Sequence, residues 1–95
     1  MIEVRQTSQF TKWFDSVSDD RAKDRIVVRI RRLSLGLAGD AKFFDGIGEL
    51  RIDYGPGYRV YFARKGNVVV VLLGGGTKKT QRRDIRDAID LAKEV

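Results

Sequence analysis

Apolar residues recur along the chain with two different periods, and each period predicts a type of element. Residues 2–5 alternate apolar and charged side chains, which predicts a short first strand. Two segments follow in which apolar residues recur every three or four positions, as is typical of amphipathic helices. The first helical face holds Phe10, Trp13, Phe14 and Val17, and the second holds Ala22, Ile26, Ile30, Leu33 and Leu37.

Polar residues mark where both helices are predicted to begin. Thr7 or Ser8 can cap the first helix, because a side-chain oxygen at that position accepts a hydrogen bond from a free backbone N–H. The second helix is predicted to begin near Ser18. Asp19 and Asp20 would then lie in its first turn, where the helix dipole favours negative charge.

After a loop that includes Phe43 and Phe44, the apolar period changes to two. Residues 49–54 and 58–63 each alternate, and the Gly55-Pro56-Gly57 sequence between them predicts a turn that joins two strands. A second turn leads into Val68–Leu73, whose unbroken apolar run is typical of a strand covered on both faces. The first strand is its expected outer neighbour.

A last helix is predicted after the three glycines at 74–76, with Ile85, Ala88, Ile89 and Ala92 on its buried face. The element order is then β-α-α-β-β-β-α. This order predicts an α+β fold, in which a mostly antiparallel sheet is backed by helices on one face. A chain of 95 residues has room for one core, so residues 1–95 are predicted to form a single domain.

Composition narrows the possible chemistry. The chain contains no histidine and no cysteine, which excludes disulfides, thiol nucleophiles and imidazole catalysis, and we expect neither a metal site nor another cofactor. The net charge of +6 favours a polyanionic partner such as nucleic acid, although an acidic protein would fit equally well. Without a long apolar run or a leader pattern, we expect a cytoplasmic protein with no membrane partner.

The alternation of the two central strands directs Arg51 and Arg59 to the same face of the sheet, away from the apolar side chains. Like charges placed opposite each other are unfavourable unless an anion lies between them, so the pair is a candidate phosphate site. Alternatively, Asp53 or Glu49 pairs with one arginine and the other is solvated.

A second candidate anion site lies where the glycine run ends and the last helix begins. Free backbone N–H groups and the helix dipole converge there, and Lys78 and Lys79 add positive charge. Alternatively, the glycine run forms only a tight turn, in which glycine supplies a positive φ.

With these residue types, phosphoryl chemistry would depend on arginine, lysine, tyrosine and backbone donors. RNA suits such a site, because its 2′-OH is an internal nucleophile and charge stabilisation can then supply most of the acceleration. Among the tyrosines, the alternation directs Tyr54 and Tyr58 inward and Tyr61 outward, so Tyr61 is the candidate for stacking on RNA bases.

Two segments of the chain resemble a known family. Residues 57–62 read Gly-Tyr-Arg-Val-Tyr-Phe, and residues 75–85 read Gly-Gly-x-Lys-x-Thr-Gln-x-x-Asp-Ile. Both are similar to segments of the RelE/HigB group of addiction-module killer proteins, within the RelE/ParE superfamily of toxins. The similarity extends over essentially the whole chain.

This resemblance implies a RelE-like fold and a type II toxin that cleaves mRNA on the ribosome and thereby inhibits translation, without a metal. It also implies a cognate antitoxin, one that often carries a DNA-binding domain. In related toxins the arginine after Gly-Tyr stabilises the scissile phosphate, and that residue is Arg59 here. Arg51 and Lys78 match other basic positions. Asp53 departs from a basic position of RelE, and the last helix lacks the Tyr or His that several relatives use as acid or base.

We therefore expect Arg51, Arg59 and Lys78 to form the catalytic site, with Tyr61, Lys79, Arg82 and Arg83 binding RNA. Arg59→Ala is expected to abolish cleavage without unfolding the protein. Two other functions stay open. A ParE-like toxin of the same fold would inhibit DNA gyrase without cutting RNA, and a basic nucleic-acid-binding module would not be toxic at all.

Overall fold

The computed structural model describes residues 2–95, which form one five-stranded sheet and three α-helices. In chain order the elements are β1 (Glu3–Gln6), α1 (Ser8–Ser16), α2 (Asp20–Ser34), β2 (Ala41–Phe44), β3 (Ile47–Ile52), β4 (Tyr58–Lys65), β5 (Val69–Thr77) and α3 (Gln81–Ala92), with a 3-10 turn at Lys78–Thr80 before α3. None of the helices in this range is long and apolar enough to cross a membrane.

The strands lie in the order β1-β5-β4-β3-β2. β1 runs parallel to β5, with Val4 opposite Val70, and the other neighbours are antiparallel. This arrangement confirms the α+β fold, the mostly antiparallel sheet and the position of the first strand beside the aliphatic strand.

The segment that contains Phe43 and Phe44 is a strand rather than the predicted loop. It pairs with β3 as a hairpin, with Phe44 opposite Ile47. The turn between them is formed by Asp45 and Gly46, whose φ angles of 49° and 82° are both positive. Asp-Gly is a favoured sequence for a two-residue hairpin turn, so the signal was present in the sequence.

Helices cover both faces of the sheet, and the expectation of helices on one face is wrong. Phe10 of α1 and Ile26 of α2 belong to a core cluster on one face, and Ala88 of α3 belongs to a second cluster on the other. β5 contributes to both, because Val70 and Leu72 point one way while its neighbours Val71 and Leu73 point the other. The predicted burial of β5 on both faces is confirmed, because α1 and α2 cover one face and α3 covers the other.

The helix N-termini form at the predicted polar residues. The Thr7 hydroxyl accepts a hydrogen bond from the Phe10 backbone N–H at 3.2 Å, and Asp19 accepts one from Arg21 at 2.9 Å. The end of α2 comes earlier than the apolar repeat suggests, because Gly36 adopts a φ of 84° two residues after Ser34. Leu37 consequently lies outside the helix and is 61% exposed, so its predicted burial is wrong.

Candidate nucleic-acid interface

Arg51 and Arg59 lie on the same face of the sheet, as the alternation predicted, and the hairpin of β3 and β4 places them directly opposite each other. Leu50 and Ile52 on the same strand point into the core beneath α1 and α2. Both arginines therefore leave the sheet on the face that carries α3, near the end of the sheet where α3 begins.

Each arginine of this pair has its own carboxylate. Arg51 is partly exposed and forms an ion pair with Asp40, in which Nη2 lies 2.8 Å from Oδ1. Arg59 points instead toward Glu49, with 3.7 Å between its Nε and the carboxylate Oε2. The alternative in which Glu49 pairs with one arginine thus describes Arg59, whereas the partner of Arg51 comes from the segment before β2.

Arg59 is largely buried and is held in place by its surroundings. Its side chain is 12% exposed, and Nη1 donates a hydrogen bond to the Gly57 carbonyl at 2.7 Å. Glu49 is fully buried and also accepts a hydrogen bond from the Gln81 side chain of α3 at 2.9 Å. Arg59 thus leaves the sheet on the predicted face but is not exposed there, because α3 covers this part of the face.

Tyr61 is also buried, so the prediction that it is exposed for base stacking is wrong. It belongs to the core cluster beneath α3, together with Ile47 and Ala63. Burial raises the pKa of the Tyr61 phenol strongly, and the neighbouring Glu49 carboxylate raises it further. The hydroxyl therefore stays protonated at neutral pH and is not a candidate general base.

The polar layer around these residues is incompletely paired. Among residues 2–95, Glu49 Oε1, Arg59 Nε and Tyr61 Oη are buried side-chain atoms that have no hydrogen-bond partner. All three belong to neighbouring side chains on one face of the sheet. Unpaired buried polar atoms cost free energy, and such sites concentrate where a protein has a function to perform.

Lys78 lies beside Arg59 because the β3–β4 turn meets the start of α3. Its backbone N–H donates to the Pro56 carbonyl at 3.4 Å. A Cβ atom placed on Gly57 would lie 2.9 Å from Arg59 Nη1 and 3.4 Å from Lys78 Cβ, so the absence of a side chain at this glycine permits the close approach. The Lys78 side chain is exposed.

The glycine run before Lys78 serves close packing and not a turn with positive φ. Gly75 and Gly76 lie within β5 and both have ordinary φ values. A Cβ on Gly75 would collide with the ring of Trp13 at 2.2 Å, and one on Gly76 would collide with the Asp84 carboxylate at 1.8 Å. Side chains from α1 and α3 therefore pack directly on the backbone of β5.

The exposed side of the 3-10 turn and α3 carries a row of cations that we call the basic ridge, formed by Lys79, Arg82, Arg83 and Arg86. These four line a shallow cleft together with Thr80, and no acidic side chain contributes to that lining. Arg83 approaches a carboxylate, with Nε 3.8 Å from Asp84 Oδ1. Arg86 was missed by the sequence analysis, although it follows Arg82 by four positions on a predicted helix.

The structure thus brings Arg51, Arg59 and Lys78 to one corner of the molecule, with the basic ridge beside it. Tyr61 lies beneath this surface and does not contribute to it. Over residues 2–95, no three or more carboxylates lie close enough together to hold a metal ion.

Comparison with known proteins shows which family this chain resembles. The profile of the family described as "Phage derived protein Gp49-like (DUF891)" matches residues 12–95. The chain belongs to the Gp49-like family. This is a toxin-like family related to addiction modules. The matched range of the Gp49-like chain includes β3, β4, the 3-10 turn and α3, and therefore every residue of the corner and of the basic ridge.

A relative from Haemophilus influenzae is similar over its whole length. It is 47% identical over 95 residues, which cover 99% of this chain and 96% of the relative. That protein is described only as an uncharacterized protein. The comparison therefore supports a common fold for the two proteins and carries no information on substrate.

Proposed function

We propose that this Gp49-like protein is the toxin of a type II toxin–antitoxin system and that it cleaves RNA, with mRNA on the ribosome as its substrate. The observation that carries the proposal is the position of Arg59, which is fixed beside Lys78 and opposite Arg51 at the edge of the basic ridge. The toxin-like family and the resemblance to RelE/HigB proteins support the same function.

The proposed chemistry uses the RNA itself as nucleophile. The ribose 2′ oxygen bonds to the adjacent phosphorus as its proton leaves, and the bond from phosphorus to the 5′ oxygen breaks as that oxygen gains a proton. The products are a 2′,3′-cyclic phosphate and a 5′-hydroxyl end. Negative charge grows on the phosphate during this step, and fixed cations there lower the barrier.

Arg59 is assigned the role of stabilising that charge. Gly57 and Glu49 face two of its three guanidinium nitrogens, which fixes the orientation of the group before any RNA binds. A donor that is already oriented needs no reorganisation during the reaction, and arginine offers a planar fork that lysine lacks. Arg51 and Lys78 would add positive charge on either side.

The basic ridge is assigned to binding rather than to chemistry. Its cations can neutralise backbone phosphates along a strand and so position the RNA across the corner. The same surface would suit an acidic segment of the antitoxin, which would then exclude RNA. The proposed antitoxin is a small protein, often with its own DNA-binding domain, whose binding relieves toxicity.

A ParE-like function is the second candidate, and one observation favours it. Tyr61 is buried with a raised pKa, and the chain contains no histidine, so the corner offers neither group as an acid or base for RNA cleavage. A toxin that inhibits DNA gyrase by binding alone would need neither group.

One experiment separates the two functions. The protein is induced in growing cells, and the 5′ ends of ribosome-bound mRNA and the supercoiling of a plasmid are followed in parallel with an Arg59→Lys control. We expect new mRNA ends with wild-type protein, far fewer with the control, and unchanged supercoiling. Relaxed plasmid with intact mRNA would favour the gyrase inhibitor, and normal growth at high expression would contradict both.

A further inference from the structure

The first residue of α3 makes a side-chain contact with the polar layer beneath that helix. Nε2 of Gln81 donates a hydrogen bond to Oε2 of Glu49 at 2.9 Å. Glu49 is fully buried, and Gln81 is half-buried above it. An ionised carboxylate only accepts hydrogen bonds, so the amide nitrogen of Gln81 and not its oxygen must face Glu49. The chemistry of the pair therefore fixes the direction of the bond.

The Glu49 carboxylate depends on this bond for its orientation. Within residues 2–95, Gln81 is the one side chain that donates a hydrogen bond to it, and Oε1 has no partner. The Tyr61 hydroxyl lies next to the carboxylate but makes no hydrogen bond. Oε2 lies 3.7 Å from Nε of Arg59, which is an ion-pair distance and too long for a hydrogen bond. The directional contact of Glu49 is thus the one with Gln81.

The start of α3 is also anchored on the sheet by contacts that do not involve the Gln81 side chain. Thr80 donates a hydrogen bond to the Asp84 carboxylate one turn later. Asp84 packs against Gly76, where a Cβ would lie 1.8 Å from Oδ2, and Gly76 is directly opposite Arg59 in the pairing of β4 with β5. These contacts hold the first turn of α3 near Arg59 when the side chain at position 81 changes.

We propose that Gln81 is a positioning residue for Arg59 and acts through the Glu49 carboxylate. The Gln81 amide orients the carboxylate, and the carboxylate faces the guanidinium that is assigned to the scissile phosphate. Gln81 contacts no RNA in this role. Its effect on cleavage rests on the proposed function, whereas the orientation of Arg59 can be measured in the free protein.

Gln81→Met tests this role, because methionine has a similar length and volume and no hydrogen-bond donor. Thr7→Val is the matched control. Thr7 is the N-cap of α1 on the other face of the sheet, and its hydroxyl donates a hydrogen bond to the Leu72 carbonyl of β5 at 2.8 Å. Each variant therefore removes a side-chain hydrogen bond that joins the start of a helix to the sheet. We expect both to remain folded by circular dichroism and to unfold at lower urea concentration than wild type.

The order of the Arg59 guanidinium is the first measurement. Nitrogen relaxation of its Nε–Hε group gives an order parameter, and the signal is assigned by its absence from Arg59→Lys. We expect a rigid group in wild type and in Thr7→Val, and a clearly lower order parameter in Gln81→Met. Equal order parameters in all three proteins would overturn the proposal, because Glu49 would then hold the guanidinium without Gln81.

Cleavage of ribosome-bound mRNA is the second measurement. Gln81→Met should lower the rate at saturating RNA by about 10- to 100-fold and change KM by less than about twofold, because a misplaced group slows the chemical step. Thr7→Val should cleave at the wild-type rate per folded molecule. In an Arg59→Ala background, Gln81→Met should cause no further loss, since no guanidinium is left to position.

Two results of the cleavage assay would also overturn the proposal. The same loss in both backgrounds would show that Gln81 does not act through Arg59, and an equal loss in Thr7→Val would show a general effect of lower stability. If the wild-type protein leaves ribosome-bound mRNA intact, the proposed function fails. The order parameter then decides by itself whether Gln81 positions Arg59.

Discussion

The two faces of the sheet are built on different chemistry. The face beneath α1 and α2 is an apolar core, in which the buried residues of the cluster, from Phe10 to Leu72, are all apolar. The face beneath α3 also contains apolar residues, but it buries Glu49 completely and holds Arg59 almost as deeply. The first face is explained by burial of apolar area, and the second contains charges that burial alone would disfavour.

The difference separates stability from the proposed function. A buried ion pair with unpaired atoms is poor support for a fold, and apolar residues of similar size would serve stability as well or better. Its position beside Lys78 indicates instead that it orients the Arg59 guanidinium. Four experiments test whether one face of the sheet serves stability and the other serves the proposed function.

The largest effect is expected from Arg59→Ala. Loss of one oriented charge donor should reduce RNA cleavage by about 100- to 1,000-fold. The variant also leaves Glu49 buried without its cation, which should lower the free energy of unfolding by about 3–5 kcal/mol. Cleavage assays and urea unfolding measure the two losses separately.

The double variant Glu49→Gln/Arg59→Met is the control for that experiment, because it removes both charges while keeping similar volumes. We expect it to recover most of the stability and none of the cleavage. Recovery of cleavage along with stability would show that Arg59 acts only through the fold.

A change in the apolar core beneath α1 and α2 should reduce stability and leave cleavage unchanged. Phe10 is 2% exposed, and Phe10→Ala should cost about 3–5 kcal/mol of unfolding free energy through lost burial and a cavity. Cleavage per folded molecule should be unchanged. Val28 is 43% exposed on α2, so Val28→Ala is the matched control and should shift stability by less than about 0.5 kcal/mol. A specific loss of cleavage in folded Phe10→Ala would break the division between the faces.

The basic ridge should affect binding alone. Lys79→Ala/Arg83→Ala should weaken association with RNA and reduce the slope of log affinity against log salt by about 1 to 2, since each cation neutralises one phosphate. The rate of cleavage at saturating RNA should stay near that of wild type. A variant with unchanged salt dependence would show that RNA lies elsewhere.

The smallest effect is expected from Tyr61→Phe, which removes a buried hydroxyl that has no hydrogen-bond partner. Stability at pH 7 should change by less than about 1 kcal/mol. The raised pKa of Tyr61 gives a pH dependence with a definite sign. Above the ordinary tyrosine pKa of about 10, the unfolded chain loses a proton that the folded chain retains, so wild-type stability falls as pH rises. Denaturant unfolding between neutral and alkaline pH should show a smaller fall in the variant.

Local patterns in the sequence predicted β1, β3, β4 and β5 and their pairing, but they missed β2 and did not predict which side of the sheet each helix covers. The alternation of β3 and β4 correctly placed Arg51 and Arg59 on one face of the sheet, because a period of two fixes the face, whereas their directly opposite positions come from the register of the hairpin. The apolar face of α3 predicted that this helix packs against the sheet. Its sequence contains no signal for the face it would cover, and that choice decides the burial of Tyr61 and Arg59.

The candidate site was predictable to the same extent. The cations of the basic ridge lie close together in sequence, so a single predicted helix is enough to place them on a common surface. The partner of Arg51 comes from Asp40, before β2, and the contact of Gln81 with Glu49 joins residues 32 positions apart. Contacts of this kind follow from the assembled topology and have no local pattern.

The parallel pairing of β1 with β5 has a consequence for how the protein is made. β1 is synthesised before the other strands, but its hydrogen-bonding partner is the last strand, β5, with Glu3 opposite Val69 and Gln6 opposite Leu72. Chains grow over seconds and fold as whole domains, so β1 has no sheet to join until most of the protein has left the ribosome. Glu49 and Arg59 gain the cover of α3 later still. A translating ribosome therefore carries β1 to β4 in an unassembled form until β5 and α3 have been synthesised.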